Sequence, residues 1–431
     1  LRQIRHYHSR DLLDTLVASR IRRQRKRMWF ELKLLIRYAW VIDPATGLNT
    51  MTNLLIEDGK IVKVGGGPMQ ADQVIDAAGL VAAPGLVDMH VHLREPGFAY
   101  KETVATGCAA AARGGVTTLV AMANTKPVTD SPELVRLVVE KAAPTGVTVL
   151  PVGAVTKGLG GAELTDFAAL KQAGAPALSD DGVPIQDEKL LRQAMEAAKA
   201  VGLPLLDHCE DKDLVQNYAV NAGPVAEKLG LPGRPAIAEE MQVERDVRLA
   251  EETGAHIHIC HISTARSVDI VRQAKARGVT VTCETCPQYF TLTEQEVLRQ
   301  GSMARVNPPL RTQEDVAGII QGLVDGTIDA IVTDHAPHSA EEKARPLAEA
   351  PSGMVGLETS LALTLTALYH TGKLSLPHVV AKMSCAPALI LGQRRKGNLA
   401  VGSDADLVLF DPDEEWIVDP EEFASKGRNT P

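Results

Sequence analysis

Aromatic side chains are the first shortage. Phe, Trp and Tyr make up 3% of the 431 residues, so aliphatic residues and Ala must fill the core. Positive charge is also short: 45 Lys and Arg stand against 54 Asp and Glu, a net charge of −9. That balance argues against a general nucleic-acid binder. No apolar run is long enough to span a bilayer, and no stretch reads as a secretory signal, so membrane attachment is not expected. The six cysteines, Cys108, Cys209, Cys260, Cys283, Cys286 and Cys385, make no dense disulfide framework. They point to a reducing cytoplasm. Cys283 and Cys286 form one CxxC, which without a second pair reads as structural and not as a zinc knuckle.

What is present divides the chain into four parts. Residues 1–31 carry the basic run Arg20–Arg27 and read as a poorly ordered or non-native extension, in preference to a basic arm for an acidic partner. Residues 32–85 hold short β runs broken by Gly, Asp and Pro, the first part of a small β-sandwich. Residues 393–431 have the same character around Leu407–Phe410 and read as its return segment. The chain stops at Pro431, where further strands are expected.

Between them, residues 86–392 repeat strand, polar cluster and helix. Eight apolar runs end at His92, Asn124, Thr156, Asp181, His208, His261, Thr285 and Asp334. Ala-rich helical stretches such as Glu188–Ala200 separate them. Eight such units predict an α/β fold, a (β/α)₈ barrel, with chemistry at the C-terminal ends of the strands.

The polar residues at those ends form a metal constellation. His90 and His92 stand at i and i+2, which on a strand aims both imidazoles at one face. An isolated HxH is weak evidence. Asp181, His208, His261 and Asp334 stand at the ends of further runs, and six such residues at one rim call for metal. Two zinc ions about 3.5–4 Å apart need an anionic bridge. Asp181 is the candidate, with Asp180 able to exchange roles with it. His90, His92 and Asp334 would complete one site, and His208 and His261 the other, although one zinc remains an alternative to two. His256 and His258 read as strand residues facing helix or core. Glu210 and Asp211 read as supporting or loop residues.

These motifs resemble the dihydroorotases, especially the bacterial class I type, within the amidohydrolase superfamily. Asp88–Gly97 (DMHVHLREPG) resembles the family's opening motif. Met122–Pro127, Ser179–Gly182, His208–Asp211, Cys260–Thr264, Arg305–Arg311 and Thr333–His338 follow in order. The resemblance runs from about residue 33 to the last residue and implies reversible cyclisation of N-carbamoyl-L-aspartate to dihydroorotate, in pyrimidine biosynthesis. It implies a barrel with a small β-sandwich built from both chain ends. It favours Asp181 as the bridge, where relatives acting on other cyclic amides place a carboxylated lysine; Lys157 belongs to the preceding unit. Asp334 is implied as the general base and then acid. Arg94, beside the HxH, suits a substrate carboxylate. By resemblance Asn124 and His338 join it, Asn307 contacts the ring, and the backbone at Ser352 and Gly353 touches the ring edge. His92 is counted with the substrate contacts as well as the ligands.

The polar stretch 337–351 is expected to be mobile. A homodimer and an association with aspartate transcarbamoylase are further expectations. The rival readings are allantoinase, dihydropyrimidinase or hydantoinase, and an inactive scaffold for the transcarbamoylase.

Overall fold

The computed structural model describes residues 33–216 and 218–431. The expected extension at 1–31 lies outside the described residues. Five strands come first: β1 (Lys33–Asp43), β2 (Leu48–Glu57), β3 (Lys60–Gly65), β4 (Gln73–Asp76) and β5 (Val81–Pro84). β1 is antiparallel to β2 along one edge. Its other edge pairs in parallel with β4 and then with β5. A register shift between Ile36 and Ala39, with Tyr38 at a φ of 62°, lies between those two pairings. Leu34, Ile36, Val41, Leu54, Ile61 and Ile75 build a core of their own beneath this sheet.

The main body is a closed ring of parallel segments. β6 (Leu86–Val91), β7 (Val116–Ala121) and β8 (Thr148–Pro151) form one parallel sheet. After β9 (Leu205–Asp207) comes a short parallel pair, β10 (Val220–Asn221) and β11 (Gly233–Arg234). β12 (Ile257–Ile259), β13 (Val281–Thr285) and β14 (Ala330–Ile331) join β9 in a second parallel sheet. Parallel bridges Gly153–Leu178 and Leu178–Leu205 link the two sheets on one side, and Val91–His335 links them on the other. The Leu178 segment is therefore the fourth of eight positions, and all eight expected runs lie in the ring. Side chains alternate with period two: Leu119 and Ala121 join one apolar cluster, Val120 and Met122 another.

The helices cover the ring for ordinary reasons. Glu188–Val201 starts where the Asp187 side chain accepts from Lys189 and Leu190 N–H, and ends at Gly202 in the left-handed region. Leu191, Ala194, Met195 and Ala198 are its buried residues, an i, i+3, i+4, i+7 stripe. Burying Leu191 alone is worth about 1.5–3 kcal/mol.

The two chain ends meet as expected, since β15 (Leu407–Phe410) is antiparallel to β5. Within 393–431 the strand is Leu407–Phe410. After β15 the chain leaves the sheet and lies on the barrel. Ser425 Oγ donates to Glu102 Oε2 at 2.6 Å, and Val355 N–H donates to Asn429 O at 2.8 Å. Gly427 permits the approach, because a Cβ there would stand 2.3 Å from the Val355 side chain. Among the described residues no helix is long and apolar enough to cross a membrane. All six cysteines are free, five of them buried, Cys283 and Cys286 included.

Candidate metal centre

His90 and His92 leave the end of β6 on one face, as the i, i+2 spacing requires. Both are buried, as are Asp181, His208, His261 and Asp334. The six side chains converge. His90 Nε2 and His92 Nε2 lie 3.4 and 3.5 Å from the two oxygens of Asp181. His208 Nδ1 and His261 Nε2 lie 3.6 and 3.5 Å from Asp181 Oδ1. Asp334 Oδ1 is 3.0 Å from His92 Nε2 and 3.7 Å from His90 Nε2. His208 Nδ1 and His261 Nε2 are 2.9 Å apart.

Most of these separations are too long for good hydrogen bonds. They match the edge of a tetrahedron around zinc, about 3.3 Å for ligands about 2.0–2.1 Å from the ion. Among the described residues, three buried atoms of the six side chains, His90 Nε2, Asp181 Oδ1 and His261 Nδ1, have no hydrogen-bond partner. Buried polar atoms of native proteins are rarely left so. His90, His92 and Asp181 form one group able to hold an ion, and Asp181, His208 and His261 form another. Asp181 belongs to both. The residues present thus fit a bound metal.

Asp180, the alternative bridge, turns the other way. Its carboxylate accepts from Val155 N at 2.7 Å and Thr156 N at 3.1 Å, and from the Thr156 hydroxyl. Burial raises the Asp181 carboxyl, but His90 and His261 outweigh it and hold the group well below the usual range. Asp334 is likewise lowered, against its burial, by His92 and His90. Arg94, His261 and Asp334 take φ values of 61°, 31° and 48°, where non-glycine residues are uncommon. Such conformations cost about 1–3 kcal/mol each and collect at functional sites.

The other residues singled out lie around this centre. Asn124 Oδ1 is 2.9 Å from His92 Nδ1; accepting that N–H leaves Nε2 to face Asp181 and Asp334. Asn124 Nδ2 also reaches Asp181, at 3.4 Å. Asn307 Nδ2 is 3.2 Å from His208 Nε2, and its Oδ1 accepts from Arg234. Arg94 Nε donates to Pro337 O at 3.1 Å, and its Nη2 lies 3.2 Å from His338 Nε2. Lys101 Nζ is 3.1 Å from His338 Nδ1. Ser352 O lies 2.8 Å from His338 Nε2, on the same side of the ring as Arg94. Burial first, then Arg94 and Lys101, push His338 down to about 2, which keeps it neutral.

Gly353 departs from expectation. Its N–H donates to Arg305 O at 2.9 Å, and its carbonyl accepts from Lys343 at 3.2 Å and Asn429 at 2.8 Å. Both backbone groups are occupied within the protein, so neither is open to a ring edge. Glycine is needed there for shape: φ is 147°, and a Cβ would meet Ala336 O at 2.3 Å. The stretch 337–351, expected to be mobile, has an ordered part. It contains the capped turn Ala340–Lys343, with Lys343 buried.

Four residues escaped the sequence reading: Glu284, Lys101, Arg234 and Glu102. Glu284 is fully buried below the centre. One oxygen is 2.7 Å from His90 Nδ1 and the other 3.1 Å from His258 Nε2. His258 is thus a core residue, as read. Glu284 stands at a strand end in Cys283–Thr285, but only its inward aim reveals its part, and spacing alone does not give that. A carboxylate on Nδ1 fixes the tautomer that presents Nε2. Glu284→Gln is expected to weaken metal retention about 10–100-fold in chelator competition. An unchanged affinity would mean that packing alone orients His90.

A family model described as Dihydro-orotase-like matches residues 79–267. A dihydroorotase from Pelotomaculum thermopropionicum is 49% identical over 401 residues, 93% of this chain and 94% of that protein. The chain belongs to the dihydroorotase family. Another dihydroorotase, from Ruminiclostridium cellulolyticum, is 50% identical over 402 residues, with 93% and 94% covered. Among solved structures, L-hydantoinase (dihydropyrimidinase) from Arthrobacter aurescens is similar, with a TM-score of 0.82, 26% identity and 92% and 91% of the two chains covered. D-hydantoinase (dihydropyrimidinase) from a Thermus species gives 0.78 and 27%, with 92% and 90% covered. A dihydroorotase chain thus shares its architecture with a wider set of cyclic-amide hydrolases.

Proposed function

We propose that this site is a two-zinc centre that interconverts dihydroorotate and N-carbamoyl-L-aspartate. His90, His92 and Asp334 would hold one ion, His208 and His261 the other, with Asp181 between them. The observation that carries the reading is the sharing of Asp181 by two buried ligand groups. That the enzyme is a dihydroorotase rests on the relatives 47–50% identical over most of the chain.

When bound, the zinc pair supplies an activated water and polarises the amide carbonyl. The chain's own groups do the rest. Asp334, ionised and beside His92, takes a proton from the attacking water and returns it to the departing ring nitrogen. Arg94 faces the substrate carboxylate with a planar fork of donors. His338, held by Lys101 at one ring nitrogen and by Arg94 and the Ser352 carbonyl at the other, would fix the Arg94 fork beside that carboxylate. Asn124 holds His92 and Asp181 and turns its remaining capacity to the substrate. Asn307 and Ser352 flank the ring from two sides.

Hydantoinase-like neighbours suggest the rival reading, a neutral ring. Two observations favour dihydroorotate. A carboxylate, Asp181, stands where the rivals are expected to carry a modified lysine, and Lys157 is exposed and paired with Glu163. Arg94 supplies a cation that a neutral ring does not need. Dihydroorotate, allantoin and dihydrouracil assayed side by side should show turnover of the first alone at an appreciable rate. Arg94→Met should raise KM for dihydroorotate about 10–100-fold, the loss of one charge-assisted contact of about 1.5–3 kcal/mol. Equal turnover of dihydrouracil, or an unchanged KM, would sink the assignment. We also propose a cytoplasmic homodimer able to associate with aspartate transcarbamoylase, to be checked by sedimentation with and without that enzyme.

A further inference from the structure

The stretch 337–351 reads as polar and mobile from sequence, yet one buried cation bonds it to its neighbours. Ser339 starts the turn Ala340–Lys343 with a capping box: its hydroxyl accepts from Glu342 N–H at 3.2 Å, and Glu342 Oε2 accepts from Ser339 N–H at 3.2 Å. The turn aims Lys343 inward, where it is 2% exposed. Its Nζ donates to three backbone carbonyls: Arg305 at 3.2 Å, Pro351 at 3.1 Å and Gly353 at 3.2 Å. An ammonium has three donors, and all three are used. A buried charge held only by neutral dipoles is costly. An apolar side chain of that length would fill the space at less cost, so packing alone does not account for a lysine.

The three carbonyls lie beside the residues assigned to the substrate, Ser352 and Asn307. Pro351 and Gly353 flank Ser352. Arg305 precedes Asn307 by two residues, and its carbonyl also receives Gly353 N–H at 2.9 Å. Arg305 Nε donates to Ser352 Oγ at 3.3 Å. From the C-terminal segment, Asn429 Nδ2 takes a second grip on Gly353 O at 2.8 Å and on Met303 O at 3.0 Å. Lys343 is where these segments meet.

We propose that Lys343 is a positioning residue for substrate, whose ammonium clamps the Pro351–Gly353 loop to the Arg305–Asn307 segment and so sets the gap between Ser352 and Asn307. This rests on the assignment of Ser352 and Asn307 to the ring. Burial first, then the Arg305 guanidinium, push Lys343 down to about 7. Arg305 is the charged group facing it; on its own turn, Glu342 points away to Lys101 Nζ at 3.0 Å. A neutral amine has two N–H donors and a lone pair, so it cannot satisfy three carbonyls. The clamp should therefore hold below about pH 7 and loosen as pH rises through that value.

The test uses the metal-loaded full chain. Wild type must first turn over dihydroorotate; failure there overturns the functional reading and not this one. Lys343→Met is expected to raise KM about 10-fold or more, the loss of charge-assisted contacts, with kcat and metal content little changed. Its KM should also lose the wild-type rise above about pH 7. Lys343→Arg should fall between, because a planar fork cannot cap three carbonyls. A folded Lys343→Met with wild-type KM and pH profile overturns the proposal. Reductive methylation of wild type avoids any folding defect. Lys343 should label far more slowly than exposed Lys157, slower still under saturating dihydroorotate, and its labelling should track loss of substrate affinity. Labelling of Lys343 that leaves affinity intact also overturns it.

Discussion

Asp334→Asn is expected to lower kcat by about 10²–10⁴, the range contributed by a positioned general acid–base. The argument starts from the backbone. Asp334 sits at a φ of 48°, a region that Asn tolerates better than most residues, so the exchange should not move the chain. The side-chain shape also stays. An amide oxygen can still face His92 Nε2, now 3.0 Å from Asp334 Oδ1, and can remain a weak ligand. What the amide cannot do is accept a proton and give it back. Turnover should therefore fall far more than metal content, and KM should change little. Elemental analysis beside steady-state kinetics separates the two. Turnover within about tenfold of wild type, at full metal content, would remove Asp334 from the proton path.

The features legible in the sequence are those with a fixed period or a fixed end. Apolar runs ending in His92, His208 and His261 could be counted because parallel strands alternate inward and outward and release polar residues at one rim. The i, i+2 spacing of His90 and His92 places both rings on one face for the same reason. Asp181 against Asp180 was harder. Adjacent residues on a strand end face opposite ways, and only the structure shows Asp180 turned into the Val155 and Thr156 amides. Glu284 was illegible because its part depends on His90, 194 positions away. Lys343 misled the reading directly. A segment rich in Glu, Lys and Ala looks solvent-exposed, and nothing local says that one lysine will turn inward onto three carbonyls. In the C-terminal segment β15 is legible because it resembles the first strands, whereas the residues after it are held by Glu102, Gly353 and Val355, partners far away in the chain.

Asp181→Ala should have an effect of different kind, because this carboxylate is common to both ligand groups. Removing His208 takes one ligand from a single group, and the His90 and His92 side should keep its ion. Removing Asp181 takes a ligand and the bridging negative charge from both. Two divalent ions about 3.5–4 Å apart repel strongly without an anion between them, so neither group should then hold metal well. The expected order is thus full metal in wild type, roughly half in His208→Ala and little in Asp181→Ala, with turnover in the last lost by about 10³-fold or more. Stoichiometry by elemental analysis, on protein purified without added metal, reads this order directly. Circular dichroism should show the fold retained, since Asp181 stands at the rim and the apolar clusters lie below it. Equal metal loss in the two variants would mean that Asp181 serves one ion alone, and near-normal metal in Asp181→Ala would mean that it serves neither.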